Sequence, residues 1–202
     1  MKRKLLLPAI GIAAAITLAG CAGNENPAAS DAASSSSQQP ASSAAGSQVS
    51  AEHNDADTMF AQMMTPHHKQ AVQMSEIMLA KDGIDSGITD LATMIKDAQG
   101  PEIQTMTGWL KTWGEPTEMG MGGHGMEGMM TDDQLKELES AQGTDASRMF
   151  LESMIEHHKG AVGMAEDEIS DGQNPQAIAL AEQIVKTQQA EIKKMQDLLA
   201  GL

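Results

Sequence analysis

From residue 55 onward, apolar and weakly polar side chains recur at helical spacing. Phe60, Met63, Met64, His67, His68, Ala71, Met74 and Met78 fall within an arc of about 140° at 100° per residue. This predicts a helix from about Ala56 to Lys81, stopped by Asp82-Gly83. A second helix is expected over about Ser86 to Trp113, kinked where Gly100-Pro101 removes a backbone donor. Thr131-Asp132-Asp133 supplies a cap for a short helix reaching about Ser140. A third long helix should span about Asp145 to Ser170, closed by Gly172. The fourth starts at Pro175, a favoured first-turn position after Asn174, and runs to about Ala200. Pro66 interrupts the first pattern, but Glu156 holds the matching place in the third, so a kink rather than a break is expected.

The pattern occurs twice. Asp55 to Met74 aligns with Asp145 to Met164 at a constant offset of 90, with eleven of twenty positions identical. Shared residues include the pairs Phe60/Phe150, Met64/Met154, His67/His157, His68/His158, Lys69/Lys159 and Met74/Met164. Further on, Gln99, Glu102, Ile103 and Met106 recur as Gln188, Glu191, Ile192 and Met195 at an offset of 89. The domain is therefore a two-helix unit written twice. Each unit makes a helical hairpin, and a long Met/Gly-rich connection from Gly114 to Met130 joins them. The expected fold class is all-α: a four-helix bundle, ferritin-like in connectivity.

Composition narrows the role. The 202 residues carry 28 Asp and Glu against 13 Lys and Arg, a formal charge of −15. Phosphate backbones would repel such a chain, so no nucleic-acid partner is expected. Residues that favour strands are scarce, with two Phe, two Trp and no Tyr. One Cys allows neither an intramolecular disulfide nor a thiolate cluster.

The N-terminus gives an address. Lys2, Arg3 and Lys4 precede an apolar stretch from Leu5 to Leu18, the form of a secretory signal over residues 1–20. Leu18-Ala19-Gly20-Cys21 resembles a bacterial lipobox, which makes Cys21 the lipidated first residue of a membrane-anchored, extracytoplasmic lipoprotein. Between Ala22 and Asn54, 18 of 33 residues are Ala or Ser. Such a segment cannot bury a core, so residues 21–54 read as lipidated Cys plus disordered tether, with His53 solvated and the domain occupying 55–202.

The chemistry follows from the repeated face. Met and Phe there need no explanation beyond core filling, but four buried His would need hydrogen-bond partners. Two identical His pairs flanked by Met point to a metal site built from Met64, His67, His68 and Met74 with Met154, His157, His158 and Met164. Di-iron bundles place Glu three residues before His on one face; here Met64 and Met154 stand in that place. Thioether for carboxylate selects Cu(I), or the similar Ag(I), over iron, manganese and zinc. Adjacent His point about 100° apart, so either member of each pair could ligate. Met64 and Met74 lie about 15 Å apart along one helix, which implies several sites along the bundle. Glu102 and Glu191 are expected to accept hydrogen bonds from His rings, with Gln99 and Gln188 on the same faces; the competing reading is a Glu at the bundle rim. The connection adds Met119, Met121, His124, Met126, Met129 and Met130, a flexible set of soft ligands for weaker capture of Cu(I). Trp109 and Trp113 read as packing.

These paired Phe…Met-x-x-His-His-Lys…Ala-Val-x-Met segments, each followed by Gln-x-x-Glu-Ile-x-x-Met, resemble the family catalogued as domain of unknown function 305 over about Ala56 to Leu199. The resemblance implies a ferritin-like bundle and extracytoplasmic copper or silver binding through the Met and His named above. The function expected is a copper-binding lipoprotein that sequesters or hands over metal in copper tolerance, with the membrane and a copper exporter or chaperone as partners. A metal-independent interaction module at the cell envelope is the alternative. A ferritin-like metalloenzyme ranks lower, because carboxylates and Tyr are missing from the repeated face, and no catalytic residue is assigned.

Overall fold

The computed structural model describes residues 49–117 and 126–202. The lipobox Cys21, the leader, the tether as far as residue 48, and Met119, Met121 and His124 lie outside the described residues. Five helices follow in order: α1 Asp55–Leu79, α2 Ser86–Trp113, α3 Asp132–Ser140, α4 Gly143–Asp171 and α5 Pro175–Ala200. No strand occurs among the described residues, and no helix there is long and apolar enough to cross a membrane.

Local chemistry sets the ends. Asn54 caps α1 through a box in which its side chain accepts from Asp57 N–H while Asp57 accepts from the Asn54 N–H. Thr131 and Gln134 do the same for α3. Asn174 caps α5 by accepting from the amides of Gln176 and Ala177, with Pro175 in the first turn. Gly114 ends α2 in the left-handed conformation at φ 78°, which only a residue without Cβ adopts at no cost. Helix α1 runs unbroken through Pro66 and α2 through Pro101.

The residues assigned to the tether's end are docked. Ser50 donates its amide to Gln176 and accepts from the Trp113 indole, while Asn174 bonds the Ser50 and Glu52 carbonyls. His53 is not simply solvated: its ring stacks on Trp113 at 4.6 Å with planes 7° apart. Residues 50–54 thus pack against the helical domain through Trp113, Asn174 and Gln176.

Helix α1 packs on α2 and α4 on α5, and the hairpins meet chiefly through α1 and α4. Two apolar clusters result. One joins Met74, Met78, Ile88, Leu91 and Ile95 to Phe150, Leu151, Met154 and Met195. The other joins Phe60, Met64, Met106, Trp109 and Leu110 to Ala161, Ala165, Ala181 and Ile184. Each cluster takes the start of one long helix and the end of its partner, so α1 and α4 run antiparallel. In chain order, every long helix passes from one cluster to the other through a polar stretch: His67-His68, Gln99 to Glu102, His157-His158 and Gln188 to Glu191.

Candidate metal centre

The polar belt is buried. His67 and His68 are 0% exposed, His157 1% and His158 0%, because they lie on the α1–α4 seam between two packed clusters. His67 and His157, equivalent in the duplication, have ring centroids 3.7 Å apart. Contact between equivalent residues is what an approximate two-fold axis requires, so the axis passes here.

The second His of each pair is held from behind. His68 donates from Nε2 to Glu102 at 2.9 Å, and His158 from Nε2 to Glu191 at 2.8 Å. A carboxylate only accepts, so the proton sits on Nε2 and the Nδ1 lone pair is free. His67 spends its Nε2 proton on the Glu127 carbonyl at 3.3 Å. That leaves Nδ1 of His67, His68 and His158, and both ring nitrogens of His157, buried without a hydrogen-bond partner. Both polar atoms of the Gln99 amide and the Gln188 oxygen are in the same condition. Each such atom costs about 1–3 kcal/mol of lost hydration. Leucine or methionine at those places would fill the core without that cost, so packing alone does not account for the belt.

Burial keeps His67, His157 and His158 neutral. Burial, and after it the neighbouring His68, pushes the His67 pKa down to about 3. Burial drives His157 down further, reinforced by His67, His158 and His68. Burial also lowers His158, although the Glu191 hydrogen bond and charge oppose it. Neutral imidazoles with free lone pairs are the ligating form.

Met64 lies one turn before His67-His68, and Met154 one turn before His157-His158; both are 0% exposed. Met64 shares its cluster with Met106 and half-buried Met164, while Met154 shares its own with Met195 and Met74. Among the duplicated Met, each cluster takes two from one copy and one from the other, while the larger cluster also holds Met78 and Met130. Among the described residues, no three His, Cys, Asp or Glu side chains converge as a metal site. The donor set fits a soft monovalent ion and not a hard divalent one.

The connection is only partly what its composition suggests. Met126 and Met129 are half-buried, but Met130, expected as a flexible capture ligand, is 8% exposed and packed in the larger cluster. Gln70 fixes it there by bonding both its N–H and its C=O at 2.8 Å. A Met beside Gly is available for capture only where the turn does not fold it into a core.

Two further residues escaped the sequence reading. Asp57 is 0% exposed and accepts from the amides of Asn54, Gln173 and Asn174. Glu168, 2% exposed, lies close enough to sense that charge yet makes no hydrogen bond of standard geometry. Burial, then Asp57, raises the Glu168 pKa to about 8. Burial alone would raise Asp57, but the amides of Asn54, Asn174 and Gln173 and the Glu168 carboxyl outweigh it and hold Asp57 low. The duplication carried the signal: Ser147 and Met78 stand at the equivalent places.

Fold and site together define an all-α protein of two duplicated hairpins with a buried His/Met seam. The chain belongs to the family described as Domain of unknown function (DUF305), which it matches over residues 57–199. A DUF305 protein of Streptomyces coelicolor is 37% identical with a TM-score of 0.68, covering 72% of this chain and 93% of its own. A DUF305 fragment from Deinococcus radiodurans is 31% identical with a TM-score of 0.68, covering 74% and 98%. The protein CopM in its Cu(II)-bound form is 36% identical with a TM-score of 0.63, covering 72% and 96%. CopM has also been solved with Cu(I) and with silver. No curated protein sequence matches the chain.

Proposed function

We propose that this protein binds Cu(I), and Ag(I) by the same chemistry, outside the cytoplasm, for sequestration or handover rather than catalysis. One observation carries the reading: two symmetry-equivalent His, each anchored through Nε2 to a Glu, keep a buried, unpartnered Nδ1, one helical turn after a buried Met. A ring fixed by a carboxylate on one nitrogen and free on the other is the arrangement metal-ligating His adopts. His68 with Met64, and His158 with Met154, would then be the primary donors, supported by Met106 and Met164 in one half and Met195 and Met74 in the other. CopM supports the choice of metal through its Cu(I), Cu(II) and silver forms.

The extracytoplasmic setting is supported by the signal-like N-terminus and by the Streptomyces relative, which is named as a secreted protein. Anchoring through Cys21 and exchange with a copper exporter or chaperone belong to the same reading. An anaerobic Cu(I) titration against a competing chromophoric chelator tests it. Tight binding that disappears when His67, His68, His157 and His158 become Asn is expected; retention of full affinity in that variant would exclude these residues as ligands.

A further inference from the structure

The two copies differ at the residue that follows His-His-Lys: Gln70 in α1, Gly160 in α4. Both differences serve the same short segment, residues 126–130. Gln70 grips Met130 through its N–H and its C=O, both at 2.8 Å and buried. Gly160 leaves room on the opposite helix, where a Cβ would meet the Glu127 carbonyl oxygen at 2.1 Å. Gly128, at φ 82°, is pressed so close that its own Cβ would meet the Glu156 carbonyl at 2.3 Å and the His157 Cα at 3.0 Å. The Glu127 carbonyl in turn takes the His67 Nε2 proton. The segment therefore crosses the α1–α4 seam directly against the paired His67 and His157 rings. On its far side lies open space, a surface cleft of about 300 Å³ bordered by Gly128, Met129 and Met130 and by Gln134 and Glu152.

We infer that residues 126–130 form a gate over the His67–His157 pair, latched by Gln70 and seated on Gly160. In its metal aspect this rests on the copper reading above; the latch itself does not. The latch consists of two hydrogen bonds and one apolar side chain, so it opens locally while the helices stay folded. Opening frees the His67 Nε2 as well as the nitrogens already unpartnered, and gives a soft ion entry past Met126 and Met129.

Two variants release the strap from opposite sides, Gln70→Ala by removing the grip and Gly160→Ala by adding the clashing Cβ. Each places a better helix former in its helix, so α1 and α4 should persist, checked by circular dichroism. Diethyl pyrocarbonate labelling of His67 and His157, read by mass spectrometry, should accelerate about tenfold or more in both variants, as should hydrogen exchange at the Met130 amide. His68 and His158, tied to Glu102 and Glu191, should label at the wild-type rate. Ag(I) association should accelerate in parallel. Unchanged labelling and exchange in both variants would overturn the latch. Faster Met130 exchange with His67 and His157 still protected would overturn the gate. Faster labelling in a protein that binds no Ag(I) before or after substitution would uphold the gate and remove the copper reading.

Discussion

At the residue scale, burial decides what the histidines can do. An ordinary imidazole titrates near 6.5 and at pH 5 would be about 97% protonated, losing roughly thirtyfold in metal affinity. His67 is held down to about 3 and His157 and His158 are lowered by burial, so protons compete at these rings less than at an ordinary imidazole. Ag(I) affinity in the His158 half should therefore fall by clearly less than thirtyfold between pH 7 and pH 5, measured by competition titration; a full thirtyfold loss would mean that the ligating ring takes up protons as an ordinary imidazole does. Under the proposed copper reading, Glu102 and Glu191 would act on the ion through the rings they orient. Glu102→Gln and Glu191→Gln should each cost about 10–100-fold in affinity at their own half, with the helices intact.

The same depression has a stability consequence of fixed sign. His67, His157 and His158 are neutral in the folded chain, whereas the unfolded chain takes up protons below about pH 6.5. Their contribution is full above that pH and falls away on acidification. Glu168 runs the other way. Its folded pKa is raised from 4.5 to about 8, so the folded chain keeps a proton that the unfolded chain has released. The stabilisation linked to that proton is present below about pH 4.5 and lost as the pH climbs through 8.

At the element scale, Glu168 matters because of what its neighbour holds together. Asp57 is at once the third residue of α1, half of a capping box, and the acceptor for the turn between α4 and α5. Glu168→Gln keeps the shape and removes the charge. Its melting temperature should exceed that of the wild type increasingly between pH 5 and pH 9; parallel melting profiles would show that Glu168 does not titrate in this range. Helix α1 carries a second weakness. Pro66 removes a backbone donor in mid-helix where α4 has Glu156, a defect typically worth about 3 kcal/mol before relaxation. Pro66→Glu should raise stability by about 1–2 kcal/mol in a urea titration.

Helix positions were legible because caps and breakers act locally. The Pro175 start, the Gly114 stop and the Thr131 cap fall where those residues stand. Helix α4 begins at Gly143, two residues before the Asp145 expected, since Asp145 is a favourable first-turn charge inside the helix and not its cap. The docking of Ser50 and His53 was not legible. It depends on the Trp113 indole and Asn174 arriving from α2 and α5, and nothing in an Ala/Ser-rich sequence reports on distant partners.

At the scale of the whole molecule, the duplication becomes a two-fold seam, and each apolar cluster draws Met from both copies. Measured along one helix, Met64 and Met74 are too far apart to serve one ion. Folding resolves this by handing Met74 to the Met154 half and Met164 to the Met64 half. The bundle should accordingly bind two Ag(I) in equivalent halves. Met64→Leu should abolish one and spare the other, with Met154→Leu the mirror case, counted by native mass spectrometry; loss of both ions on a single substitution would show one shared site.

The sequence by itself determined the helices, their duplication, the soft donor set and the pairing of His with Glu on facing surfaces, because each is a matter of spacing along a helix or of side-chain chemistry. Only the tertiary structure decided which Met share a cluster, that the His67 and His157 rings meet at the axis, that Met130 is core, and that Asp57 meets Glu168. Those outcomes depend on how two antiparallel hairpins register against each other. Register is set by the whole buried interface at once and by no single stretch of chain.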